Sequence, residues 1–143
     1  MPFGYFAFHS TCTNFAPMLK SILLVAAGGA VGSVARYLLS RALNGTVLAA
    51  FPLGTMAANL LGCLAIGLVC GLAGDGGARL GPDMKLLLTV GFCGGFTTFS
   101  TFMNESLTLF KAGDALLGAV YVGSSVALGL IAVMAGFQLA KLF

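Results

Sequence analysis

A chain of 143 residues with 59% hydrophobic side chains, 8% charged ones and a mean hydropathy of +1.04 is too apolar for a soluble domain and points to the membrane. Its net charge of +3 comes from seven scattered basic residues without the clustering that nucleic acid requires, so membrane lipid is the expected partner and nucleic acid is not. One histidine and four acidic residues supply no Ser/His/Asp set, metal cluster or phosphate loop, which sets enzymes aside.

Taken in order, residues 1–17 are rich in phenylalanine, include His9 and Cys12, and lack the basic stretch and cleavage pattern of a signal peptide. Met18 opens directly into Leu19, Lys20 and the first apolar run. The expected organisation is thus a leader over 1–17, with Met18 a candidate start, ahead of a membrane domain over 18–143; an interfacial tail is the competing reading. Four apolar runs follow: Leu19 to Leu39, Phe51 to Ala73, Leu86 to Phe110 and Ala115 to Ala140. Each exceeds the roughly 18 to 20 residues that a spanning helix needs. The predicted fold is all-α, with four transmembrane helices.

In the first helix Gly28 and Gly32 have the small-xxx-small spacing that lets two backbones approach in lipid. Arg41 reads as an interfacial anchor; Arg36, a turn deeper, is either a second anchor or a charge in a water-filled vestibule. Pro52 suits the start of the second helix, where Thr55 and Asn59 share a face. An amide in the membrane is costly unless paired, so Asn59 is either interhelical glue or a donor into a cavity. The loop that follows, with Asp75, Arg79 and Asp83, is a solvated turn without a site.

The third run holds GFCGGFTTFSTFMNE, Gly91 to Glu105. Gly91, Gly94 and Gly95 weaken a helix, so a mid-membrane break is expected there, with the helix restarting after Gly95. Beyond it, hydroxyls alternate with Phe99 and Phe102, and Glu105 lies a further turn along. A break leaves carbonyls that suit a small hard cation and a helix N-terminus that favours an anion. The last helix carries Tyr121 and Ser125 one turn apart, then the small residues Gly129, Ala132 and Gly136. Asn59, Ser100, Thr101, Tyr121 and Ser125 together form a set of neutral donors that can solvate an anion, and the positive edges of phenyl rings add to it. The cysteines Cys12, Cys63, Cys70 and Cys93 show no pairing pattern and read as small apolar packing.

The stretch GFCGGFTTFSTF (Gly91 to Phe102) resembles the signature of the small fluoride channels of the Fluc (CrcB) family. GGAVGSVARY (Gly28 to Tyr37), PLGTMAANLLG (Pro52 to Gly62) and the Tyr121/Ser125 pair are similar to that family as well, so the resemblance covers nearly everything from Met18 onward. It implies a fluoride-selective channel in the cell inner membrane that passively exports fluoride, built as an antiparallel, dual-topology homodimer. It further implies pore residues at Phe99, Phe102 and Asn59, and a polar track at Tyr121 and Ser125 with Glu105 at the acidic position. A structural sodium ion (Na+) would be held by the carbonyls of Gly94 and Thr97 from each subunit. Gly129 departs from members that continue the track with a hydroxyl, and residues 1–17 have no counterpart.

Charge is compatible with dual insertion: Lys20, Arg79, Lys85 and Lys141 lie on one side, Arg36, Arg41 and Lys111 on the other, which gives little orienting bias. Two rivals remain. A small multidrug exporter would be expected to carry a carboxylate in its first helix, which is absent here, and a structural membrane subunit would tolerate apolar replacement of Asn59, Phe99 and Phe102.

Overall fold

A computed structural model describes residues 15–43, 51–74 and 80–142. His9, Cys12, Asp75 and Arg79 lie outside the described residues. Within them every element is helical: α1 (Phe15–Leu43), α2 (Leu53–Ala73), α3 (Pro82–Leu86), a π-helical stretch (Leu87–Cys93), α4 (Gly94–Phe96), α5 (Phe99–Lys111) and α6 (Ala115–Ala140). Among the described residues four spans are long and apolar enough to cross a bilayer: Phe15–Leu43, Leu53–Ala73, Pro82–Lys111 and Ala115–Ala140. α1 also takes in Phe15 to Pro17, the end of the stretch that the sequence assigns to a leader.

The helix ends follow local chemistry. Gly113, at φ +86°, closes α5: its N–H donates to the Phe110 carbonyl and that of Asp114 to the Leu109 carbonyl. This paired arrangement satisfies carbonyls that a helix end otherwise leaves bare, and the left-handed position favours glycine.

Backbone-to-backbone contact through glycine governs the packing. Gly28 and Gly32 of α1 lie against the third span, where a Cβ would come within 2.5 Å of the Leu87 carbonyl oxygen and 2.2 Å of that of Phe92. From the opposite side, Gly95 presses on Gly29, its absent Cβ only 2.4 Å from the Gly29 carbonyl oxygen. Water does not drive helices together inside lipid, so close van der Waals contact of this kind has to hold them. Between α2 and α6, Gly67 meets the Val133 backbone and Gly136 that of Leu64 in the same way. Large apolar side chains such as Leu23, Val31, Leu116 and Leu130 are left on the outer surface, as a lipid-facing exterior requires.

At one end Lys20 of α1 is ion-paired with Asp83 of α3. Both side chains are more than half exposed, so the pair contributes little. Asp83→Asn is expected to change thermal stability in detergent by less than about 1 kcal/mol; a larger loss would show that the pair is shielded in the membrane.

Candidate functional site

The third span is interrupted at Thr97 and Thr98, not at its glycines. Thr97 (φ −86°, ψ 158°) and Thr98 (φ −149°, ψ 115°) are extended, whereas Cys93 and Gly94 keep ordinary helical angles. The helix therefore restarts at Phe99, later than the glycine pattern predicts. The glycines serve contact with α1, while β-branched threonine tolerates the extended backbone that a break needs. Gly62 of α2 makes room for it, since a Cβ there would lie 2.2 Å from Thr97 Cγ2.

Asn59 clamps the break. Its Nδ2 donates to the Thr98 carbonyl at 3.1 Å, and the Thr98 N–H donates to its Oδ1 at 2.8 Å. One side chain satisfies both polar groups of the residue that has left the helix, which answers the cost of exposing backbone to hydrocarbon. The glue reading of Asn59 thus describes its contacts, and it also lines a neighbouring pocket. Thr98 caps α5, its hydroxyl oxygen accepting from the Thr101 N–H at 3.4 Å and its hydroxyl donating to Thr101 Oγ1 at 3.0 Å.

These bonds divert donors from the backbone ladder. In a continuous helix the Thr98 N–H would reach the Gly94 carbonyl and the Thr101 N–H that of Thr97; here they go to Asn59 and to Thr98 Oγ1. Gly94 and Thr97 line a pocket of about 350 Å³ together with Asn59, Cys63, Cys93 and Phe99. Two neutral carbonyls freed in this way match the hard oxygen donors that a small cation prefers. Among the described residues no group of three His, Cys, Asp or Glu side chains could hold a metal. The Gly95 carbonyl, by contrast, accepts from Arg36 Nε at 3.2 Å and Ser33 Oγ at 3.5 Å. Arg36 is half-buried and tied to the break, a role that neither the anchor nor the vestibule reading anticipated.

A second polar cluster centres on Glu105. Thr55 Oγ1 donates to its Oε1 and the Tyr121 hydroxyl to its Oε2, both at 2.8 Å. The carboxyl thereby holds α2, α5 and α6 at one level. Tyr121 is fully buried, with Phe51 edge-on at 5.4 Å and Phe102 at 5.1 Å between ring centroids. The Ser125 hydroxyl oxygen, one turn further along α6, is buried and without a partner among the described residues.

The two phenylalanines differ. Phe102 is 6% exposed in the core, whereas Phe99 is 73% exposed at the start of α5; their rings are 6.1 Å apart. Thr101 is occupied by the Thr98 cap, and Ser100 is exposed on α5, so neither hydroxyl joins the Glu105 cluster. Thr55, Thr98 and Phe51 were not singled out as site residues. For Thr55 the signal was present, because it lies one turn from Asn59 on the same face.

The chain matches the profile of a family described as CrcB-like protein, Camphor Resistance (CrcB), over residues 23–137. It is similar to a fluoride-specific ion channel FluC of Chlorobaculum tepidum, 49% identical over 128 residues that span 88% of this chain and 98% of the relative. A protein of the same name from Phocaeicola vulgatus is 45% identical over 123 residues, 86% of this chain and 100% of the relative. A third, from Maridesulfovibrio salexigens, is 44% identical over 126 residues, 87% of this chain and 98% of the relative.

Proposed function

From the premise that this chain belongs to the CrcB-like family, we propose that it is a fluoride-specific ion channel that lets fluoride leave the cytoplasm and so lowers its internal concentration. The observation that carries the reading beyond family membership is the break at Thr97 and Thr98, clamped by Asn59 beside a pocket.

A helix that restarts within a span turns its partially positive N-terminus toward the membrane interior, where an anion is stabilised. α5 is 13 residues long and begins at Phe99, next to Asn59. The edges of Phe99 and Phe102 add positive quadrupole charge without a full countercharge to trap the ion. Asn59, through its second amide hydrogen, and Ser125 provide neutral donors that replace water around a small ion, the Tyr121 hydroxyl being committed to Glu105, and a larger chloride would fit that setting less well. Transport is passive, because the membrane potential supplies about 2.3 kcal/mol per charge per 100 mV to expel an anion.

The assembly is an antiparallel, dual-topology homodimer in the inner membrane. The even balance of basic residues supports it, as does the exposure of Phe99 beside the open pocket, a face that a second copy would cover. Gly94 and Thr97 of both subunits would hold a sodium ion, which supplies positive charge that binds the two interrupted helices together.

Purified protein in liposomes, followed with a fluoride electrode, is expected to release fluoride quickly and chloride negligibly. Phe99→Ile should cut fluoride flux about tenfold, the equivalent of about 1.4 kcal/mol at one point of the path. Absence of fluoride release from folded dimer would overturn the channel reading.

A further inference from the structure

The two arginines of α1 are held differently. Arg36 is half-buried and committed to the Gly95 carbonyl, whereas Arg41 is exposed near the end of the helix and bonds only to Tyr37, its Nη1 donating to the hydroxyl at 3.3 Å. A guanidinium carries five N–H donors in a planar fork, so four of them remain unused among the described residues. Tyr37 is exposed too, and its hydroxyl, accepting from Arg41, keeps its own hydrogen to donate.

Toward the membrane interior from this pair lies an apolar groove of about 410 Å³ that α1 forms by itself, from Ala30, Val31, Val34, Ala35 and Leu38. Val34, Leu38 and Arg41 follow one another at i, i+4 and i+7, so the groove and the guanidinium share a face. Ala30 and Ala35 end at a methyl, which cuts a notch among the branched side chains of Val31, Val34 and Leu38. From Ala30 to Leu38 a helix rises about 12 Å, close to the half-thickness of about 15 Å of a bilayer's hydrocarbon core. Among the described residues α1 packs on α2 and the third span up to Phe96, and on neither α5 nor α6. Glu105 and Asp114 belong to α5 and the start of α6, and Asp83 pairs with Lys20 at the opposite end of α1, so no carboxylate competes for Arg41.

We propose that this face of α1 binds an anionic phospholipid, its phosphate on Arg41 and the Tyr37 hydroxyl and one acyl chain along Ala30 to Leu38. The planar fork of Arg41 meets two phosphate oxygens at once, and the Tyr37 ring lies where aromatic side chains gather at the headgroup level. A phosphatidylglycerol headgroup brings no cation to oppose Arg41, whereas the choline of phosphatidylcholine does. The inference stands whatever ion the protein conducts.

Native mass spectrometry of the purified protein in detergent, titrated with dioleoylphosphatidylglycerol or dioleoylphosphatidylcholine, tests it. The parent is expected to bind the anionic lipid about fivefold more tightly, the effect of one arginine beside an anionic lipid. Arg41→Gln should remove that preference and Arg41→Lys keep part of it, while Tyr37→Phe should weaken binding about threefold, in keeping with one neutral hydrogen bond. Ala35→Leu fills the notch; it should weaken the dioleoyl lipid and leave dihexanoylphosphatidylglycerol, too short to use the groove, bound as before. Lys111→Gln, which removes an exposed cation from the end of α5, should change nothing.

Equal binding of both lipids by the parent, or a preference that survives Arg41→Gln, would overturn the inference. An equal loss in Lys111→Gln would reduce it to surface charge, and normal binding of the dioleoyl lipid by Ala35→Leu would remove the chain from the groove; either result sinks the site. A change of oligomeric state in Ala35→Leu, read in the same spectra, would assign the face to a second copy instead.

Discussion

Asn59→Leu is expected to abolish fluoride conduction and to lower thermal stability substantially. Leucine keeps the heavy-atom branching of asparagine, with bulkier methyl ends, but removes both partners of Thr98, whose N–H and carbonyl are held at 2.8 and 3.1 Å. Each buried backbone group left unpaired costs about 1–3 kcal/mol, so losing both weakens the interrupted geometry by about 2–6 kcal/mol. At about 1.4 kcal/mol per factor of ten, even the lower bound reduces the population of intact break more than tenfold. The Thr98 N–H has a ready alternative in the Gly94 carbonyl, so the span would tend to close into a longer helix and withdraw one of the two freed carbonyls. Asn59→Asp separates the two roles: it keeps the acceptor for the Thr98 N–H, gives up the donor to its carbonyl and, when ionised, places negative charge in an anion path. Liposome flux and thermal unfolding in detergent, measured on the same samples, check the prediction. Parental values of both for Asn59→Leu would remove Asn59 from the site.

Gly95→Ala should be among the most damaging single-methyl changes in the interface of α1 with the third span. Its Cβ would lie 2.4 Å from the Gly29 carbonyl oxygen and 2.9 Å from Gly29 Cα, both backbone atoms that no rotamer change can move. α1 must then shift bodily, which loosens the Gly28 and Gly32 contacts and the Arg36 bond to the Gly95 carbonyl. Overpacking of this kind costs about 1–3 kcal/mol, and the lost helix contacts add to it. The matched control is Gly123→Ala, where nothing lies within 4 Å of the new methyl; there the gain in helix propensity, up to about 1 kcal/mol, leaves stability equal or higher. Thermal unfolding of the two variants side by side is the measurement, and equal melting would refute the glycine-mediated contact of α1 with the third span.

Several features were legible before any coordinate. Hydropathy and run length identify four spans because lipid demands a minimum apolar length whatever the packing. That the third span is interrupted followed from glycine and hydroxyl density, although Gly91, Gly94 and Gly95 drew attention away from Thr97 and Thr98. A glycine that permits a bend and a glycine that permits a neighbour look the same in one dimension. Arg36 shows a similar limit, since its partner is a carbonyl far along the chain. Ser100 and Thr101 have the right chemistry for a donor track, yet the fold leaves Ser100 exposed and ties Thr101 to the Thr98 cap, so neither joins Tyr121 at Glu105.

The sequence by itself determined the membrane class, the four helices, the interruption of the third and the family resemblance, because each depends on composition and on residues close along the chain. The position of the break, the Asn59 clamp and the Glu105 cluster were decided only by the tertiary structure. All three depend on the register of α2 against the third span and α6, and that register comes from backbone contacts between glycines and residues distant in sequence.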